Sequence, residues 1–283
     1  MTKLGCAPPD RMAGTSVDPP PTWAGVPPPA PGVERSRLFR FSDGDRLEDA
    51  GLILVDGGAF SRSESFESVR RADGGRTLSS VIVAADGSYR VEGRWTYDAD
   101  ETAQAAQGLA DYGGVPATVT IRVADAVATI TVSGDAVAER QVTAPCPSCL
   151  IDMSPSALPM FTMTRRYDAV QGGVQSFDWI GRGLTHDVEL TEVRAELRKL
   201  RGGELSGPDG AMVAVAQYHF VETFKDPGTG RSIQIPFNLY VDGAQRPLGF
   251  ACRAMGTTAI GIRSGFADLA QRMPPVFEAD AVP

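Results

Sequence analysis

The feature that most constrains the fold is a regular alternation of strand-like runs with Asp-Gly turns from Gly51 to Arg263. In Ser88 to Asp98, Tyr89, Val91, Trp95 and Tyr97 fall on one side of an extended chain, and Arg90, Glu92, Arg94 and Thr96 on the other. That is the pattern of a strand with one buried and one wet face. Asp73-Gly74-Gly75, Asp86-Gly87, Gly134-Asp135, Asp226-Pro227-Gly228 and Asp242-Gly243 supply residues that initiate turns or tolerate positive φ, and each separates two β-rich runs. Links this short favour antiparallel pairing, because a parallel crossover needs a dozen or more residues.

The predicted strands form two series. The first comprises Leu52–Phe60, Ser61–Arg70, Arg76–Ala84, Ser88–Asp98, Ala117–Val123, Val127–Ser133 and Val137–Thr143. The second comprises Val174–Gly181, Met212–Phe224, Ser232–Val241, Pro247–Ala254 and Thr257–Arg263, with Asp187–Leu197 a further candidate. Glu101–Ala110, rich in Ala and Gln, reads as a helix, and Gly265–Met273 as a closing helix; Val188–Leu200 fits helix or strand. The expected fold is mainly β with few short helices, either one antiparallel curved sheet or two packed half-barrels. Four segments are expected: a proline-rich disordered or extended tail at 1–48, an antiparallel β-unit at 49–145, a linker with a short helical turn at 146–172, and a second β-unit with a C-terminal helix at 173–283. The tail prediction rests on Pro8-Pro9, Pro19-Pro20-Pro21 and Pro27-Pro28-Pro29, which remove backbone donors and fix φ in extended geometry. Two long strands ending in Tyr97-Asp98 and Tyr240-Val241-Asp242 echo one another, and the arrangement from Gly51 to Arg263 resembles tandem lipocalin-like modules in architecture, without a shared motif.

With 283 residues, 42% of them apolar, the chain can bury a substantial core. Its net charge of −8 argues against a nucleic-acid partner, since binding a phosphate backbone needs clustered Lys and Arg. No run reaches the roughly 18 apolar residues of a transmembrane segment. Met1–Met12 lacks the apolar stretch of a signal peptide, so a cytoplasmic location is expected.

Chemistry-bearing motifs are few. Serine-hydrolase elbow, phosphate-binding loop and dinucleotide fingerprint are all missing from the sequence, and no cofactor is expected. Cys146-Pro147-Ser148-Cys149 can close a small disulfide ring, act in redox exchange or supply half of a metal site; the other half would have to come from Cys6, Cys252, His186 or His219. No metal site is expected. Cys252 alternates with Leu248 and Phe250 and reads as a small core residue. Met212–Phe224 is apolar on both faces, as a central strand would be, and carries Tyr218, His219 and Glu222. A carboxylate among aromatics either pairs with an Arg or takes a raised pKa suited to a general acid. Met153, Met160, Phe161 and Met163 form an adaptable apolar cluster, with Ser154-Pro155 opening a short turn and Pro159 preventing a long helix.

The leading expectation is a pocket for an apolar small molecule such as a lipid or polyketide-like compound, lined by Trp95, Tyr97, Met160, Phe161, Trp179, Phe220, Phe237 and Phe250. The second is a cofactor-independent lyase, hydratase, isomerase or cyclase in which His219, Glu222 or Tyr218 moves a proton. The third is an interaction module that meets a protein partner through the proline-rich tail.

Overall fold

The computed structural model describes residues 28–112, 115–134, 137–183, 191–225, 229–254 and 257–273. The proline clusters before residue 28, Cys6, His186 and the 226–228 turn lie outside the described residues.

Among the described residues, fifteen strands form one sheet. The first eight are β1 (Arg46–Asp56), β2 (Arg62–Arg70), β3 (Arg76–Ala84), β4 (Tyr89–Tyr97), β5 (Ala103–Tyr112), β6 (Val115–Ala124), β7 (Val127–Gly134) and β8 (Val137–Pro145). A short strand, β9 (Leu150–Ser154), and a helix, α1 (Leu158–Arg166), follow. Then come β10 (Val174–Gly183), β11 (Thr191–Ser206), β12 (Met212–Lys225), β13 (Ser232–Asp242), β14 (Pro247–Ala254), β15 (Thr257–Arg263) and a final turn of helix, α2 (Leu269–Arg272). The order across the sheet is β8-β7-β6-β5-β4-β3-β2-β1-β15-β14-β13-β12-β11-β10-β9, so the two predicted series join edge to edge where β1 pairs with β15. One large curved sheet results. Every neighbour pair is antiparallel except β9 with β10, which the α1 crossover makes parallel.

The sheet curls back on itself: its end strand β9 pairs with β10 on one side and packs against β5 on the other. This explains why Glu101–Ala110 is not a helix. Ala103, Ala106 and Ala110 are buried, and β5 pairs with both β4 and β6. Small side chains are needed where another strand comes close, and that packing outweighs the helical preference of Ala and Gln. Val188–Leu200 resolves in the same direction, with Thr191 to Leu200 belonging to β11.

Within the curl sits α1, buried from Leu158 through Thr164. Its buried threonines find partners there: Thr164 Oγ1 donates to the Phe161 carbonyl at 2.8 Å, and Thr162 Oγ1 accepts from Arg76 Nη2 at 3.1 Å. Pro159 falls in its first turn, where a missing N–H costs nothing, so it opens the helix instead of stopping it. Glu64 of β2 holds the helix start in place: Ser156 Oγ donates to its Oε1 at 2.5 Å and the Ala157 N–H to its Oε2 at 3.0 Å. The 146–172 segment therefore supplies an interior strand and helix.

Beyond the interior core, Leu205, Tyr240, Leu248, Phe266 and Leu269 form a second apolar cluster. Leu248 joins it because the ladder slips between Tyr240↔Gly249 and Val241↔Pro247, leaving Leu248 as the extra residue of a bulge. Strict alternation with Phe250 fails there. Part of the expected tail is also built into the body. Leu38 and Phe39 are buried, Arg35 Nη2 pairs with Glu67 at 2.6 Å, and Arg37 Nε with Glu92 at 2.7 Å. Glu92 also accepts from Ser36 Oγ and the Arg37 N–H. Burial raises its pKa, and these donors and the Arg37 charge more than offset that, leaving it below the ordinary range.

Among the described residues no helix is long and apolar enough to cross a membrane.

Candidate functional site

A cavity of about 200 Å³ lies inside the curl, walled by the start of β2, by β9, β10, β12, β13, β14 and β15, and by the start of α1. It follows from the ladder register. Phe220, Phe237, Cys252 and Ala259 are successive cross-strand partners from β12 to β15, and the size of their inward side chains falls along that row. The last three border the cavity. Behind them Phe220 packs against both Phe237, at 5.2 Å between ring centroids, and Trp179, stacked at 5.7 Å. Phe250 completes the wall. Met160 enters from α1, and Phe60, exposed on the surface, marks the side on which the cavity reaches solvent.

Against this apolar wall stand Arg62, Asp152, Ser156, Glu222 and Cys252. Glu222 borders the cavity from β12, and burial raises its pKa from the ordinary carboxylate value to about 7. Asp152 borders it from β9. Burial pushes its pKa well above the ordinary range, and the charges of Glu222 and Glu64 push it further. Glu64 is also raised by burial, against which the Ala157 N–H, Arg62 and Ser156 act. Several polar atoms here lack a protein partner. Asp152 Oδ1, Arg62 Nε and the Trp179 indole N–H are shielded from solvent without a hydrogen bond. Burial raises the Cys252 thiol, so it is a poor nucleophile as it stands.

Of the residues singled out in the sequence, Glu222, Met160, Trp179, Phe237 and Phe250 border this one cavity. Phe220 forms the layer behind it. Tyr218 lies further along β12, edge-on to Tyr167 at 5.4 Å between ring centroids, with its pKa raised by burial. His219 faces the opposite side of β12 from Glu222, with Nδ1 at 3.2 Å from Asn238 Oδ1 of its cross-strand neighbour. Trp95 and Tyr97 are buried on β4 in the first half of the sheet; the Trp95 ring covers Gly93, and Tyr97 stacks beneath the Arg76 guanidinium at 4.7 Å. Phe161 borders a small void of about 20 Å³ on the other side of α1. Asp152, Arg62 and Cys252 are among the cavity residues that the sequence reading left out of the site. Asp152 lies in the stretch read as linker, and only its inclusion in β9 brings it beside Glu222.

Cys146 and Cys149 form a disulfide where β8 gives way to β9, both buried. A second hollow, about 290 Å³, lies where Arg201, Gln217 and Tyr240 meet Leu205 and Leu269 of the second apolar cluster. It has no carboxyl pair like that of the interior cavity; Arg201 Nε there donates to Gln217 Oε1 at 2.9 Å.

No protein-family model matches the chain, and no curated protein matches it in sequence. The structure is similar to a β-barrel-like protein of a domain of unknown function, DUF1849, from Brucella abortus, with a TM-score of 0.50 at 10% identity over 77% of this chain and 94% of that one. A DUF1089 family protein from Pseudomonas aeruginosa gives a TM-score of 0.40 at 16% identity over 66% of this chain and 88% of that one. The first likeness extends to the β-barrel-like fold and no further.

Proposed function

We propose that the chain is a small-molecule-binding β protein whose ligand occupies the interior cavity. The observation that carries this reading is a void of about 200 Å³ with Met160, Trp179, Phe237 and Phe250 on its walls and unpartnered polar atoms among them. Apolar walls with a few convergent polar groups are the usual composition of a ligand site. A well-packed interior does not leave such a gap, because the atoms facing it forfeit their dispersion contacts.

The test is to titrate the protein with an environment-sensitive apolar dye and repeat with Ala259→Phe, which fills the space beside Cys252 and Thr257. Saturable binding that this substitution abolishes, while the thermal transition is retained, supports the reading. A dye that binds both forms equally well overturns it.

A second reading is favoured by one observation, the elevation of Glu222 to about 7. In that reading the chain is a cofactor-independent enzyme, with Glu222 shuttling a proton on a substrate oriented by the aromatic wall. Its test is isotope exchange: a bound carbon acid should take up solvent deuterium in the native protein and not in Glu222→Gln.

A further inference from the structure

The charged groups around the cavity do not cancel. Glu64 accepts from the neutral donors Ser156 Oγ and the Ala157 N–H, and shares a single cation, Arg62, with Asp152 on the cavity wall; Glu222 stands on that wall too. Arg62 turns part of its guanidinium away, donating from Nη1 to the Phe60 carbonyl at 3.1 Å, and its Nε has no partner. With the three carboxylates ionised, Arg62 offsets one of them and negative charge remains in excess. An unpaired buried carboxylate is costly, and a ligand supplying the missing cation would remove that cost.

One further feature fits a cation. Asp152 Oδ1 is an acceptor shielded from solvent without a hydrogen bond. Trp179, 3% exposed, borders the same space. Phe220 stacks on one face of this indole, so the aromatic wall here offers apolar contact to the rest of the ligand. Both carboxyls are raised in the empty site, so a cation that binds there should draw their pKa values down and release protons to solvent.

We infer that the ligand is an apolar molecule bearing one amine, with its ammonium group between Asp152 and Glu222 and its hydrocarbon part against Trp179, Phe237 and Phe250. This rests on the cavity being a ligand site. Its size sets the scale: at about 30 Å³ per water-sized group, the space holds roughly seven non-hydrogen atoms.

The experiment compares hexylamine, 1-hexanol and hexanoate, nearly equal in size, by protein-detected NMR titration of the full chain and of the isosteric variant Asp152→Asn/Glu222→Gln. Chemical shifts across the spectrum report whether the variant is folded. Hexylamine should bind about tenfold more tightly than hexanol, a charge-assisted gain of about 1.4 kcal/mol, and the double variant should remove the difference while still binding hexanol. Equal binding of amine and alcohol to the native protein overturns the inference and leaves the cavity reading standing. Preference for hexanoate overturns it in favour of recognition through Arg62. If none of the three shifts the Trp179 indole resonance, the cavity reading fails along with the inference. The native protein decides among these outcomes even if the variant does not fold.

Discussion

The Phe250 ring lies over Gly261, its cross-strand partner on β15, so closely that a Cβ placed on Gly261 would stand 2.2 Å from Phe250 Cε1. A glycine opposite an aromatic on a strand lets the ring lie flat on the backbone, here fixing one wall of the cavity. Gly261→Ala should force the ring from this position. The expected cost is about 1–3 kcal/mol, as for other overpacked cores. Urea unfolding checks it, and apolar dye binding should change in parallel because Phe250 borders the cavity.

The pH dependence of stability follows from Glu222. Its pKa in the folded chain, about 7, lies above the ordinary 4.5, so the folded state binds the proton more tightly than the unfolded state. Stability from this group is fully present below about pH 4.5 and declines as pH rises to about 7. The upper limit of the loss is about 3 kcal/mol at about 1.4 kcal/mol per pKa unit. Asp152 and Glu64 are raised as well and act in the same sense. Glu222→Gln should therefore flatten part of the decline, measured as the difference between denaturation midpoints of the two proteins across pH 4–8.

Arg76 is 2% exposed and forms a forked ion pair with Glu101, its Nε 2.7 Å from Oε2, while its Nη2 also donates to Thr162 Oγ1 of α1 at 3.1 Å. Removing one partner of a buried pair leaves the other charge without compensation. Arg76→Met should cost about 3 kcal/mol, the low end for such pairs, because Arg70 and Arg165 also approach Glu101, at 3.6 and 3.9 Å. Glu101→Gln, which leaves the buried Arg76 without its carboxylate and beside Arg165, should cost more. Chemical denaturation of both variants checks the order.

Since both sulfurs of the Cys146–Cys149 disulfide are buried, alkylation after mild reduction should be slow in the native protein and fast in urea. The loop is short, so the entropic contribution of the bond is about 2 kcal/mol. Cys146→Ser/Cys149→Ser should lower stability by about that amount, read from urea titrations. An equal midpoint for the two proteins would mean that the bond adds nothing to stability.

The sequence by itself determined most of the strands and the turns between them. Arg76–Ala84, Pro247–Ala254 and Thr257–Arg263 are delimited by the chain's own alternation and turn residues, which are local properties. It also pointed to Glu222, because a carboxylate among aromatics is conspicuous in one dimension. Only the tertiary structure decided that Ala103–Tyr112 is a strand, that Pro159 opens an interior helix, and that Trp95 and Tyr97 lie in the other half of the sheet from Trp179 and Phe237. It alone brought Asp152 beside Glu222. Those outcomes depend on how the sheet curls and on which strand ends up against which. Such contacts join residues far apart in the chain, and local propensity carries no record of them.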